Sequence, residues 1–125
     1  MDDETAADLK QTIDESQFGV VEARKEPYLV ILIGSEAGKR FRLRDGQTTI
    51  GRSREADVTL DDDRVSRIHS MLWRKDASIV VQDCGSRNGT LVDGRRVDRC
   101  ALTAASEVQV GRSVLHIEYR NPTDV

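Results

Sequence analysis

The sequence predicts an all-β domain, a sandwich of short strands behind an acidic tail, and three observations carry that prediction. From Tyr28 onward the apolar residues fall in short runs, and no segment keeps a helical period. Clusters of turn formers separate the runs at close intervals, as in a sandwich or barrel. The first 27 residues instead hold eight acids and three bases among sparse apolar side chains, a composition too poor in apolar surface to order itself.

Residues 1–27 therefore read as a flexible tail, with Leu9 and Ile13 four apart and able to support a frayed helical turn. Tyr28 to Ile33 is a continuous apolar run rich in branched residues, fitting a strand inside a sandwich. Gly34-Ser35-Glu36-Ala37-Gly38 makes a turn, and Arg40 to Leu43 alternates with Phe41 and Leu43 on one face. Asp45-Gly46 turns the chain into two further short strands, Thr48 to Gly51 and Val58 to Leu60. His69 to Arg74 sets Met71 and Trp73 on one face with Leu72 opposite, and Met71 and Trp73 are expected in the core. Ser78 to Asp83 follows. Asp93-Gly94, inside Leu91 to Val97, signals a two-residue hairpin, because both central residues tolerate positive φ. Glu107 to Val110 alternates cleanly, and Leu115, Ile117 and Tyr119 alternate with a solvent-facing His116, Glu118 and Arg120. Asn121-Pro122 breaks the pattern, so the expected organisation is tail 1–27, domain 28–120 and the start of a linker at 121–125.

Composition narrows the function classes. The 125 residues suffice for one domain with a real core. Net charge is −3, yet residues 28–125 hold fourteen acids against sixteen bases. That mildly basic body suits an anionic ligand but lacks the Lys/Arg stripe of nucleic-acid binders. No apolar run approaches the roughly 20 residues of a bilayer span. The acidic N-terminus resembles neither a signal nor a transit peptide, so a cytoplasmic location without a membrane partner is expected. Cys84 and Cys100 lack CxxC spacing and read as reduced thiols. His69 and His116 are far apart, and neither a metal nor a cofactor is expected.

Three polar clusters interrupt the strands: Gly51-Arg52-Ser53, Val65-Ser66-Arg67-Ile68-His69 and Gly85-Ser86-Arg87-Asn88-Gly89-Thr90. Each gathers cations with hydroxyls or an amide on a loop, the donor set a phosphorylated peptide segment needs. With Asp57 and Leu60 between the first two, and Asp83 leading into the third, these residues resemble the forkhead-associated (FHA) domain over roughly 28–120. The resemblance implies a β-sandwich of about eleven strands binding phosphothreonine peptides at one apex. It implies phosphate and peptide contacts for Arg52, Ser66, Arg67 and Arg87, and a main-chain hydrogen bond from Asn88. It gives Gly51, His69 and Gly89 loop-supporting roles, and makes Arg64 a reader of the third residue after the phosphothreonine. Such modules are often fused to kinases or other signalling output domains.

The same residues admit plainer readings. Ser66, His69 and Asp83 could suggest a hydrolase triad, but Ser66 has no nucleophile-elbow context and the body no α/β pattern. A His bracing loop backbone fits better. Gly34 to Arg40 mimics a P-loop but has one residue too few between its glycines and no Ser/Thr after Lys39. Arg95 and Arg96 at the hairpin are surface charge or an extension of a basic rim. The expected function is thus a non-enzymatic phosphothreonine adaptor downstream of a Ser/Thr kinase. The alternatives are a phosphorylation-independent assembly module using a sheet face, or the N-terminal regulatory domain of a larger signalling enzyme. The tail offers a ligand of its own: Thr5 precedes Asp8 by three residues, and Thr12 precedes Glu15 by three. Thr5 with Asp8 also makes a helix capping box.

Overall fold

The computed structural model describes residues 25–122 of the chain. Eleven strands occur among them: β1 (Glu26–Ile33), β2 (Arg40–Arg42), β3 (Gly46–Gly51), β4 (Val58–Thr59), β5 (Ser70–Lys75), β6 (Ser78–Asp83), β7 (Thr90–Val92), β8 (Arg95–Val97), β9 (Arg99–Leu102), β10 (Val108–Val110) and β11 (Ser113–Arg120). They form a five-stranded sheet in the order β9–β6–β5–β3–β4 and a six-stranded sheet in the order β2–β1–β11–β10–β7–β8. The expected all-β sandwich is the observed fold. β3 and β4 pair in parallel, Ile50 opposite Val58, whereas β3–β5 and β5–β6 are antiparallel.

The two inner faces supply the core. Leu29 and Ile31 of β1, Leu115 and Ile117 of β11, and Val108 and Val110 of β10 come from one sheet, and Ile50, Leu72, Ile79 and Val81 from the other. Each such fully buried side chain contributes about 1.5–3 kcal/mol. β1 is buried through Ile31, after which Leu32 and Ile33 emerge on the surface.

Met71 and Trp73 are corrected here. Both are only half-buried, and the core takes Leu72, which lies opposite Val81. Alternation defines two faces without saying which turns inward. The indole N–H of Trp73 finds its partner at this half-wet surface, donating to Gln82 Oε1 at 2.9 Å. β9 was not expected from the sequence. Asp93 and Gly94 do take positive φ, 52° and 84°, and join β7 to β8 with Val92 opposite Arg95. No helix among the described residues is long and apolar enough to cross a membrane.

Candidate functional site

Three loops meet beyond the strand ends: the one leaving β3 at Arg52, the one from Leu60 to His69 before β5, and the one from Cys84 to Gly89 between β6 and β7. The first two are stitched by backbone bonds, Arg52 N–H to Ser66 O at 3.0 Å and Ser53 N–H to Arg67 O at 3.1 Å. The Arg52 side chain adds a third, Nε–H to Val65 O at 2.9 Å. Gly51 permits this approach, because a β-carbon there would lie 2.0 Å from Arg67 O.

The second and third loops are joined by His69, whose ring is wholly buried. Its Nδ1 accepts the Ser66 amide N–H at 3.0 Å, so that nitrogen carries no proton. Nε2 therefore bears the hydrogen and donates to Gly89 O at 2.8 Å. The triad reading fails on this geometry, since His69 meets the Ser66 amide through Nδ1 and the Gly89 carbonyl through Nε2. Two further links are the Arg87 amide donating to Ser66 Oγ at 3.0 Å and Asn88 Nδ2 donating to Arg64 O at 2.8 Å.

Asp83 organises the third loop. Its Oδ2 accepts the Gly85 and Ser86 amides, and its Oδ1 accepts the Ser86 hydroxyl at 2.5 Å and the Thr90 hydroxyl at 2.8 Å. Ser86 Oγ in turn accepts the Gly89 amide. Burial alone would raise the Asp83 carboxyl, but these donors outweigh it and hold the group below its ordinary value. Gly89 has φ +85°, the left-handed region open to glycine.

The loops enclose an open cleft of about 870 Å³ lined by Arg52, Arg64, Arg67, Arg87 and Asn88, with Ser66 among them. Among the described residues, no hydrogen bond or ion pair engages the guanidinium groups of Arg67 and Arg87. The one acid lining the cleft, Asp63, is paired with Arg112 at 2.8 Å, and that pairing holds its carboxyl below the ordinary range. Ser66 Oγ accepts from Arg87, which leaves its own hydrogen to give. Asn88 keeps its Oδ1 and a second N–H uncommitted. The cleft therefore gathers cationic groups with neutral donors beside them.

All of Arg52, Arg64, Ser66, Arg67, Arg87 and Asn88 line this cleft, with Gly51, His69 and Gly89 bracing it from behind. Thr5 and Thr12 lie outside the described residues. Sequence reasoning missed Asp62 and Arg112. Asp62 is 9% exposed and accepts the Arg64 amide at 2.9 Å and the Arg112 amide at 2.6 Å, fixing the turn that presents Arg64. Fifty positions separate those partners, so nothing local signals the contact. Asp-x-Gly-Ser is the local pattern behind the Asx-type turn at Asp83.

The chain belongs to the forkhead-associated domain family: residues 30–120 match the FHA-like family model described as the inner membrane component of T3SS, cytoplasmic domain. It is 44% identical over 84 residues to the oxoglutarate dehydrogenase inhibitor of Corynebacterium diphtheriae, covering 67% of this chain and 59% of that protein. It is 40% identical to the glycogen accumulation regulator GarA of Mycolicibacterium smegmatis, covering 67% and 53%. The chain thus spans little more than half the length of these curated relatives. Among solved structures it is similar to an FHA domain from a structural and functional analysis of phosphothreonine-dependent FHA interactions. There the TM-score is 0.70 at 29% identity, over 74% of this chain and 95% of that one. It is also similar to the FhaA FHA domain complexed with the intracellular domain of Rv3910, with TM-score 0.68 at 27% identity over 74% and 99%.

Proposed function

We propose that this protein is a phosphothreonine-dependent regulatory adaptor, acting by binding and not by catalysis. The observation that carries this reading is the cleft itself, where Arg67 and Arg87 are uncommitted beside the Ser66 hydroxyl and the one lining acid, Asp63, is engaged by Arg112. A phosphate at neutral pH brings about −1.5 to −2 charges. Each guanidinium within about 4 Å of it contributes on the order of 4 kcal/mol before desolvation. In this reading Arg52, Arg67 and Arg87 neutralise the phosphate, Ser66 donates one hydrogen bond to it, and Asn88 holds the ligand backbone. Threonine is favoured over serine through its methyl, worth about 0.8 kcal/mol or roughly fourfold if buried.

The relatives named as an oxoglutarate dehydrogenase inhibitor and a glycogen accumulation regulator favour a metabolic enzyme among the partners, and in this reading a Ser/Thr kinase acts upstream because the ligand must first be phosphorylated. The protein's own tail, phosphorylated at Thr5 or Thr12, is the other ligand we propose, since tethering supplies effective concentrations in the millimolar range. The test is a phosphothreonine peptide library followed by calorimetry on the tightest binder. Arg52→Ala is expected to abolish binding. It also removes the brace to Val65 O, so its fold is checked by its unfolding midpoint. Unchanged affinity in a folded Arg52→Ala would refute the assignment.

A further inference from the structure

Just outside the cleft, beyond Asn88, lies a further cation. Arg96 of β8, opposite Leu91 of β7, is exposed and lays its side chain across Gly89. A β-carbon at Gly89 would lie 2.6 Å from Arg96 Nε and 2.9 Å from Cζ. The guanidinium is thus seated on the loop that carries Arg87 and Asn88, and among the described residues it has no hydrogen bond or ion pair. Gly89 itself cannot move aside, because its amide is held by Ser86 and its carbonyl by His69. A cation parked on a fixed loop, without a carboxylate, loses little freedom on meeting an anion there.

We propose that Arg96 is a second anion-reading position, which selects ligands carrying an acidic side chain on the stretch that passes over Gly89. This rests on the phosphothreonine reading of the same cleft. Two residues of chain separate Arg87 from Gly89, at most about 7 Å. An extended ligand rises about 3.3–3.6 Å per residue, so the acid falls about two residues from the phosphothreonine. The pair forms at an exposed rim, where such contacts give at most about 1 kcal/mol, about fivefold in affinity. Arg96 then sets which phosphorylated segment is preferred and leaves capture of the phosphate to the cleft.

The experiment uses the full chain and alanine-flanked phosphothreonine peptides, with a single Asp moved through the four positions on either side. The ratio of affinities, Asp peptide over the unsubstituted one, is measured for wild type, Arg96→Gln and Arg95→Gln. At one position within two residues of the phosphothreonine the wild-type ratio is expected to reach three to five. It should fall to about one in Arg96→Gln and persist in Arg95→Gln. Glutamine keeps the polar stem over Gly89, and the unfolding midpoint of R96Q checks that the loop stays in place. A ratio near one throughout the two residues on either side of the phosphothreonine, or a preference there that survives R96Q, overturns the proposal while leaving the phosphothreonine reading intact. No binding of any phosphopeptide to the wild type overturns both.

Discussion

Gly51→Ala tests whether the site is built by backbone approach. The new β-carbon would sit 2.0 Å from Arg67 O, 2.7 Å from Arg67 C and 2.9 Å from Ile68 Cα. All three are backbone atoms, so no rotamer change relieves the clash. Reaching ordinary contact near 3.5 Å requires a shift of roughly 1.5 Å. The same segments are held together by Arg52 N–H to Ser66 O, Ser53 N–H to Arg67 O and His69 N–H to Ile50 O, at 3.0, 3.1 and 2.8 Å. A shift of that size carries those pairs beyond hydrogen-bond range. Each lost bond costs about 1 kcal/mol and forced overpacking about 1–3 kcal/mol, so a total of about 4–6 kcal/mol is expected. For a domain of this size that lowers the melting temperature by about 15 °C or more. Below its own melting point the variant should also bind phosphopeptide at least tenfold more weakly, because Arg52 and Ser66 part. Thermal unfolding and calorimetry measure both. A variant melting within 2 °C of wild type with native affinity would refute the reasoning.

Three further outcomes are expected. Ser66→Ala should weaken phosphopeptide binding by about 1.5–3 kcal/mol, the range for a hydrogen bond to a charged group, and an affinity within twofold of wild type would contradict it. Asp83 has its folded pKa depressed, so its contribution is fully present above the unfolded value near 3.9 and is lost as pH falls through the lower folded one. Asp83→Asn should be less stable at neutral pH and lose less on acidification below about pH 4, and an unaltered pH profile in urea titrations would count against that. Arg64→Ala should erase a preference for Asp or Glu at the third residue after the phosphothreonine, worth at most about 1 kcal/mol, as read on a peptide array.

Much of this protein was legible because its signals are local. The Asp93-Gly94 turn needed two residues that accept positive φ, and the apolar run from Tyr28 to Ile33 read as a sandwich strand, which is buried as far as Ile31 and exposed at Leu32 and Ile33. The cleft residues were legible as three short clusters in fixed order. What was not legible depends on partners distant in sequence. The inward choice of Leu72 over Met71 and Trp73 was set by Val81 across the sheet. Strand β9 is short, Arg99–Leu102, and its alternation is masked by Arg99 and a half-buried Cys100. The turn at Asp76, with φ 55°, contains no glycine and gave no hairpin signal. Asp62 and Arg112 meet only because β10 and β11 return the chain beside the Arg64 loop.

The central claim is that one cleft recognises one phosphorylated threonine. Amide chemical shifts recorded while titrating a matched peptide pair, phosphorylated and unphosphorylated at a single threonine, test it most directly. The account predicts saturable shifts at Arg52, Ser66, Arg67, Arg87 and Asn88 with the phosphopeptide and none there with its unphosphorylated twin. Shifts that are equal for both peptides, or that fall on a sheet face away from these loops, would contradict it.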